Sequence, residues 1–237
     1  VAGKSIGLMD ADVYGPSQPR MLGVKDSKPE SDGEVITPVL THGVKLMSMG
    51  FMVEEETPMV WRGPMVQSAL MQMAKQVAWG TEEDPLDILI LDLPPGTGDT
   101  QLTLCQQLQL TGAIIVSTPQ DIALLDARKG LEMFKKVHVP ILGLVENMSQ
   151  FICPKCGEKT AIFSHGGVKD TAEKLGYPLL AEIPLDLAIR ENTDAGKPLV
   201  LQHPDSPAAE AYRALAENTV TQLENQAAPK SVKIVME

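Results

Sequence analysis

Cysteine is scarce in this chain of 237 residues: three are present, an odd count and too few for a disulfide scaffold, so a reducing compartment is expected. Aromatic residues are also scarce, at 4%, which leaves Leu, Ile, Val, Met and Ala to fill the core. No apolar run approaches the roughly 18 uninterrupted residues of a membrane helix. The first residues, Val1-Ala2-Gly3-Lys4-Ser5, lack the charged region followed by an apolar stretch of a secretion signal. Positive charge is the minority: 20 Lys and Arg stand against 31 Asp and Glu, for a net charge of −11. That balance argues against a nucleic-acid partner, because phosphate backbones are bound by clustered cations. A cytoplasmic protein without membrane or nucleic-acid partners is expected. A mitochondrial matrix protein stripped of its targeting segment would look the same.

What is present is a rhythm. The pattern predicts strands over Ser5–Asp10, Asp87–Leu93, Ala113–Thr118, Ile141–Glu146 and Leu179–Ile183. Three of them carry nearly continuous apolar runs, as strands buried on both faces do in parallel sheets covered by helices. Helical periods predict helices near Pro64–Trp79, Thr100–Leu108, Asp121–Val137, Val168–Leu175 and Ser206–Asn225, with Asp121 suited to an N-cap. The alternation predicts an α/β fold: a doubly wound, mostly parallel sheet with helices on both faces. Residues 33–56, with Thr37-Pro38, His42-Gly43 and the acidic run Glu54–Glu56, read as short strands and turns inserted after the first strand.

Two strand ends carry carboxylates. Asp92-Leu93-Pro94-Pro95-Gly96-Thr97-Gly98-Asp99 follows a buried strand directly. An Asp there suits a Mg²⁺ held through water, and the glycines let backbone approach a phosphate closely. The plain alternative is a Pro/Gly linker. Asp10-Ala11-Asp12 closes another strand, and carboxylates at two parallel strand ends converge on one crevice; alone, the pair also reads as a solvated strand end.

Cys153-Pro154-Lys155-Cys156-Gly157 offers two thiolates at metal-ligand spacing, half of the four that zinc or a [4Fe–4S] cluster requires. Cys105 lies between apolar residues of a helical stretch and reads as a small packed side chain. A two-fold homodimer would double the pair to four. By spacing alone, zinc and an iron–sulfur cluster stay equally open. His165-Gly166-Gly167 reads as a polar turn before the next helix, with metal or phosphate contact as the alternative. Gly3-Lys4-Ser5 imitates the end of a phosphate loop but runs into a strand where that loop requires a helix.

Several motifs together, Met9–Ser17, Met47-Ser48-Met49-Gly50-Phe51, Trp61-Arg62-Gly63-Pro64-Met65, Asp92–Asp99, Ser117–Asp121 and Glu146-Asn147-Met148-Ser149, resemble the Mrp/ApbC family, deviant Walker-A ATPases related to MinD. The mitochondrial complex I cluster-assembly branch is similar too, notably at Val137-His138-Val139-Pro140. The resemblance implies a nucleotide-binding domain over residues 1–226, with the cysteine loop near 153–156, and a tail at 227–237. It implies an ATPase-coupled carrier that gives iron–sulfur clusters to apo-proteins, with ATP, Mg²⁺ and a cluster (4Fe–4S) shared across a homodimer. Within it, Asp12 would position the attacking water and Asp10 would share the crevice with Asp92, which would hold Mg²⁺ through water. Gly96 would sense the γ-phosphate, Asn147 would read the adenine edge, Pro184 would pack on the ring, and Cys153 and Cys156 would hold the cluster. A MinD-like partitioning ATPase and a zinc-stapled scaffold dimer are the rivals. Family members carry a strand, a K-G-G-V-G-K-S/T loop and a helix ahead of the first strand seen here, in a unit of about 30 residues or more. None of it occurs in residues 1–237, so the expectation is a fragment that neither binds nor hydrolyses ATP usefully.

Overall fold

The computed structural model of the chain describes residues 3–52 and 63–226. The acidic run Glu54–Glu56, Trp61-Arg62 and the expected tail lie outside the described residues. The chain opens with β1 (Ile6–Asp10), a one-turn helix α1 (Gln18–Met21) and four short strands, β2 (Glu30–Ser31), β3 (Ile36–Thr37), β4 (Val39–Thr41) and β5 (Val44–Ser48). Then come α2 (Gly63–Gln76), β6 (Ile88–Asp92), α3 (Asp99–Gln107), β7 (Ala113–Ser117), α4 (Asp121–Lys136) and β8 (Ile141–Glu146). A small hairpin, β9 (Phe151–Ile152) and β10 (Lys159–Thr160), precedes α5 (Gly167–Leu175), β11 (Leu179–Glu182), α6 (Leu187–Asp194), α7 (Leu199–Gln202) and α8 (Pro207–Asn225).

The main strands form two sheets, ordered β4-β5-β1-β6 and β11-β8-β7. All their pairings are parallel except β4 with β5. The five strands expected from apolar runs all form, in a mostly parallel α/β architecture. The inserted segment does more than decorate: β5 pairs with β1 in register from Ile6↔Val44 to Asp10↔Ser48. Lys45 interrupts its apolar pattern because the amine leaves the sheet to reach Trp79 O and Asp84.

Met9, Met47, Met49, Leu70 and Met73 fill the core of the first sheet, and Leu131, Phe134, Leu144 and Val168 that of the second. β6 and β7 are outer strands of their sheets, and both line a cavity of about 1120 Å³. Ile90 and Val116, on those two strands, are 48% and 59% exposed, in contrast with the core.

Two local expectations need correction. Gln120, in extended conformation, is the N-cap of α4, and Asp121 is its first-turn residue, where a carboxylate still favours the helix's positive end. Helix α2 stops at Gln76, not Trp79. Val77 instead bridges to Ile36, and the Trp79 indole N–H donates to Met73 O, turning the chain back toward the sheet. At the other end of the chain, Ser206 caps α8 by accepting the Ala209 N–H.

Candidate functional site

Two parallel strands end side by side, with Asp10 of β1 in register with Asp92 of β6. Asp10 is fully buried and both its oxygens are engaged: Oδ2 accepts the Ser48 hydroxyl at 2.8 Å and the Gln18 N–H at 3.2 Å, and Oδ1 accepts the Asp12 N–H at 3.2 Å. Burial raises its carboxyl above the ordinary range, these hydrogen bonds oppose that rise, and the nearby Asp92 charge adds to it. Gln18 spans the crevice, its side-chain amide donating to Asp92 Oδ2 at 2.7 Å. Asp12 stands half-buried beyond the strand end and folds its own loop, with Oδ1 accepting the Tyr14 and Gly15 N–H groups.

The loop after Asp92 is pinned from α3. Gln101, almost fully buried, donates its amide to Pro94 O and Pro95 O, leaving the tip free. At that tip Gly96 has φ of 100°, a conformation that L side chains rarely adopt, and open space where a Cβ would stand. Gly96 and Thr97 share a second cavity, of about 650 Å³, with Ser117, Thr118, Asp126 and Asn147. That volume lies within the range of small-molecule sites. Asn147 is anchored by its N–H to Ser117 O at 2.8 Å, and its side-chain oxygen accepts the Met148 N–H. Pro184 is buried in the turn after β11 and is not among the residues lining either cavity.

The cysteine pair lies elsewhere, at the tip of the β9–β10 hairpin. Cys153 N–H donates to Glu158 O, and Gly157 N–H donates back to Cys153 O. This tight turn requires the left-handed conformation of Gly157 at φ 73°. The backbone N–H groups of Cys156 and Lys155 point at the Cys153 sulfur and, with the Cys156 thiol, hold its pKa below the usual thiol range. Cys156 is exposed and Cys153 partly so, while Cys105 is buried and its thiol is pushed up by burial. Among the described residues no third cysteine, histidine or carboxylate joins the pair in a metal-binding group.

The expected Asp10, Asp12 and Asp92 are thus brought together, as are Gly96 and Asn147, while Cys153 and Cys156 form a separate centre. Ser48, Gln18 and Gln101 were not singled out from the sequence. Ser48 did carry a signal, a small hydroxyl at the end of an apolar strand inside the Met47–Phe51 motif. Gln18 and Gln101 act across 74 residues and through a loop, which no local pattern shows.

Comparison with known proteins agrees on one group. Residues 1–220 match a family model described as "NUBPL iron-transfer P-loop NTPase". The iron-sulfur cluster transfer protein NUBPL of Dictyostelium discoideum is 52% identical over 222 residues, covering 93% of this chain and 68% of its own length. The iron-sulfur cluster carrier protein of Haemophilus influenzae is 50% identical over 222 residues, covering 93% of this chain but only 59% of its own length. Among solved structures, a nucleotide-binding protein from Archaeoglobus fulgidus in complex with ADP has a TM-score of 0.72 at 35% identity, covering 88% of this chain and 79% of that one.

Proposed function

Because the chain belongs to the family of NUBPL-type iron-transfer P-loop NTPases, we propose that it carries an iron–sulfur cluster on Cys153 and Cys156 and delivers it to apo-proteins. The cluster is cargo. A single observation carries this reading: an exposed hairpin presents two thiols, one with its thiolate stabilised by backbone N–H groups, and supplies half of a four-thiolate set. A second copy related by a two-fold axis supplies the other half, making the cluster the bridge of a homodimer.

The carboxylate crevice is the nucleotide end of the same device. Asp92 would hold Mg²⁺ through water, Asp12 would position the attacking water, Gly96 would approach the γ-phosphate and Asn147 the adenine edge, with Pro184 packing near the ring. The geometry supports part of that assignment. Gly96 and Asn147 line one cavity of suitable size, and the Gly96 tip is open to a phosphate. Asp92 faces the crevice, with Oδ2 accepting a single amide that a ligand can displace. Nucleotide exchange at this crevice would then reset the Asp10–Gln18–Asp92 contacts and, through the dimer, the grip on the cluster.

Anaerobic reconstitution with iron and sulfide tests the cluster reading. The wild-type chain should turn brown, take up about two irons per chain for one shared [4Fe–4S] centre, and elute as a dimer. Cys153→Ser and Cys156→Ser should each lose most of that iron. Equal iron in both variants, or a fully loaded monomer, rejects the assignment, and colourless zinc in place of iron turns it to the scaffold reading.

A further inference from the structure

We propose that Glu146, His165 and Glu182 form a second metal site, for a divalent first-row transition cation, at the root of the cysteine hairpin. One ligand atom from each of the three lies within 4.8 Å of the others. The His165 Nε2 to Glu182 Oε1 distance is 2.9 Å. Three separate elements converge to make the group: Glu146 ends β8, Glu182 ends β11, and His165 closes the segment that leads out of the hairpin into α5.

The charge of the cluster adds to that proximity. Glu146 and Glu182 are direct neighbours in the parallel β8–β11 register; the positive N-terminal end of α5 offsets part of the Glu146 charge, and the rest of the like-charge repulsion is left for a cation. Among the described residues no Lys or Arg pairs with either carboxylate, and His165 contributes at most one positive charge against two negative ones. A divalent ion balances the pair in full. Glu146, moreover, is completely buried. Its two oxygens accept the Gly166 and Val168 N–H groups at 3.0 Å each, from the start of α5. That leaves lone pairs on both oxygens for a further partner.

The donor set selects the ion. An imidazole nitrogen with carboxylate oxygens suits Zn²⁺, Fe²⁺ or Co²⁺, whereas Mg²⁺ and Ca²⁺ prefer all-oxygen shells. Three protein ligands leave a fourth position for water or an exchanging ligand. His165 and Glu182 are about two-fifths exposed at their side chains, so the ion has a way in, while Glu146 forms the floor. Binding would fasten the end of the hairpin segment to the strands that lead into Asn147 and Pro184.

The test removes the hairpin thiols from consideration. The full chain carrying both Cys153→Ser and Cys156→Ser should retain about one Co²⁺ at micromolar free metal, with the visible absorption of a nitrogen–oxygen site, and millimolar Mg²⁺ should not compete. Adding His165→Gln or Glu182→Gln to that chain should weaken binding by roughly a factor of ten or more, while circular dichroism reports an unchanged fold. Glu146→Gln is a poorer probe because it also weakens the anchoring of α5. No retained Co²⁺, or retention that survives both His165→Gln and Glu182→Gln, overturns the site. Neither outcome touches the cluster assignment, which is read from iron in the chain with its thiols intact.

Discussion

The crevice at the ends of β1 and β6 and the hairpin holding Cys153 and Cys156 are the two proposed sites, and they are built in opposite ways. In the crevice every acidic group is already engaged: Asp10 with Ser48, Gln18 and Asp12, Asp92 with Gln18, and Asp12 with its own loop. On the hairpin one thiol is exposed and the other partly so, and among the described residues no third ligand joins them. The first arrangement holds its groups in one geometry until a ligand competes for them, which suits a switch. On the proposed reading the second holds nothing until a partner completes it, which suits a carrier. One region stores its function in internal hydrogen bonds, the other in what it leaves unmade.

Deleting the centre of the crevice should produce the largest effect. Asp10→Ala leaves the buried Ser48 hydroxyl and two backbone N–H groups without their acceptor, at a cost of about 3 kcal/mol in urea unfolding. Ser48→Ala removes one of those bonds together with the acceptor of the Gly50 N–H, and should cost ~1.5 kcal/mol. If Asp10→Ala unfolds at the wild-type urea concentration, the crevice is not a wired unit and the contrast with the hairpin collapses.

Much of this contrast could be read in the sequence, but not all. Apolar runs located β1, β6, β7, β8 and β11, and the carboxylates at the ends of β1 and β6 came with them. Cys-Pro-Lys-Cys-Gly announced a ligand pair by spacing alone. The partners of Asp10 were harder to see, since Ser48 arrives on β5, whose apolar pattern Lys45 interrupts. Helix α6 was missed because its polar residues hide the period, although Asp186, which accepts the Ala188 N–H, is a recognisable cap. His165 read as a turn residue; only the β8–β11 register sets it against two carboxylates.

Thiol chemistry offers a sharper measure of the hairpin. Backbone N–H groups lower the Cys153 pKa, so its thiolate fraction becomes substantial at a lower pH than for an ordinary thiol, whereas burial raises Cys105 and keeps it protonated. In the metal-free native chain near neutral pH, iodoacetamide should label Cys153 on the order of tenfold faster than Cys105, with Cys105 reacting freely only in denaturant. Peptide mapping by mass spectrometry reads the order. Comparable rates in the native state would remove the poised thiolate from the hairpin.

The smallest expected effect separates the two regions most cleanly. The hairpin contributes strands of two residues each, and neither Cys153 nor Cys156 belongs to any of the hydrophobic clusters. Replacing sulfur by oxygen at a turn outside the core removes little buried surface, so each single Cys→Ser variant should keep its metal-free stability within about 0.5 kcal/mol of wild type. With metal bound, the comparison must change, because anything that binds only the folded state stabilises it by an amount that grows with the logarithm of free ligand over Kd, and the variants forgo that gain. Urea unfolding in chelator and again after loading therefore distinguishes a group kept for binding from one kept for folding. A loss of more than about 1 kcal/mol in chelator would make the cysteines structural, and the division between a pre-paired crevice and an incomplete hairpin would no longer hold.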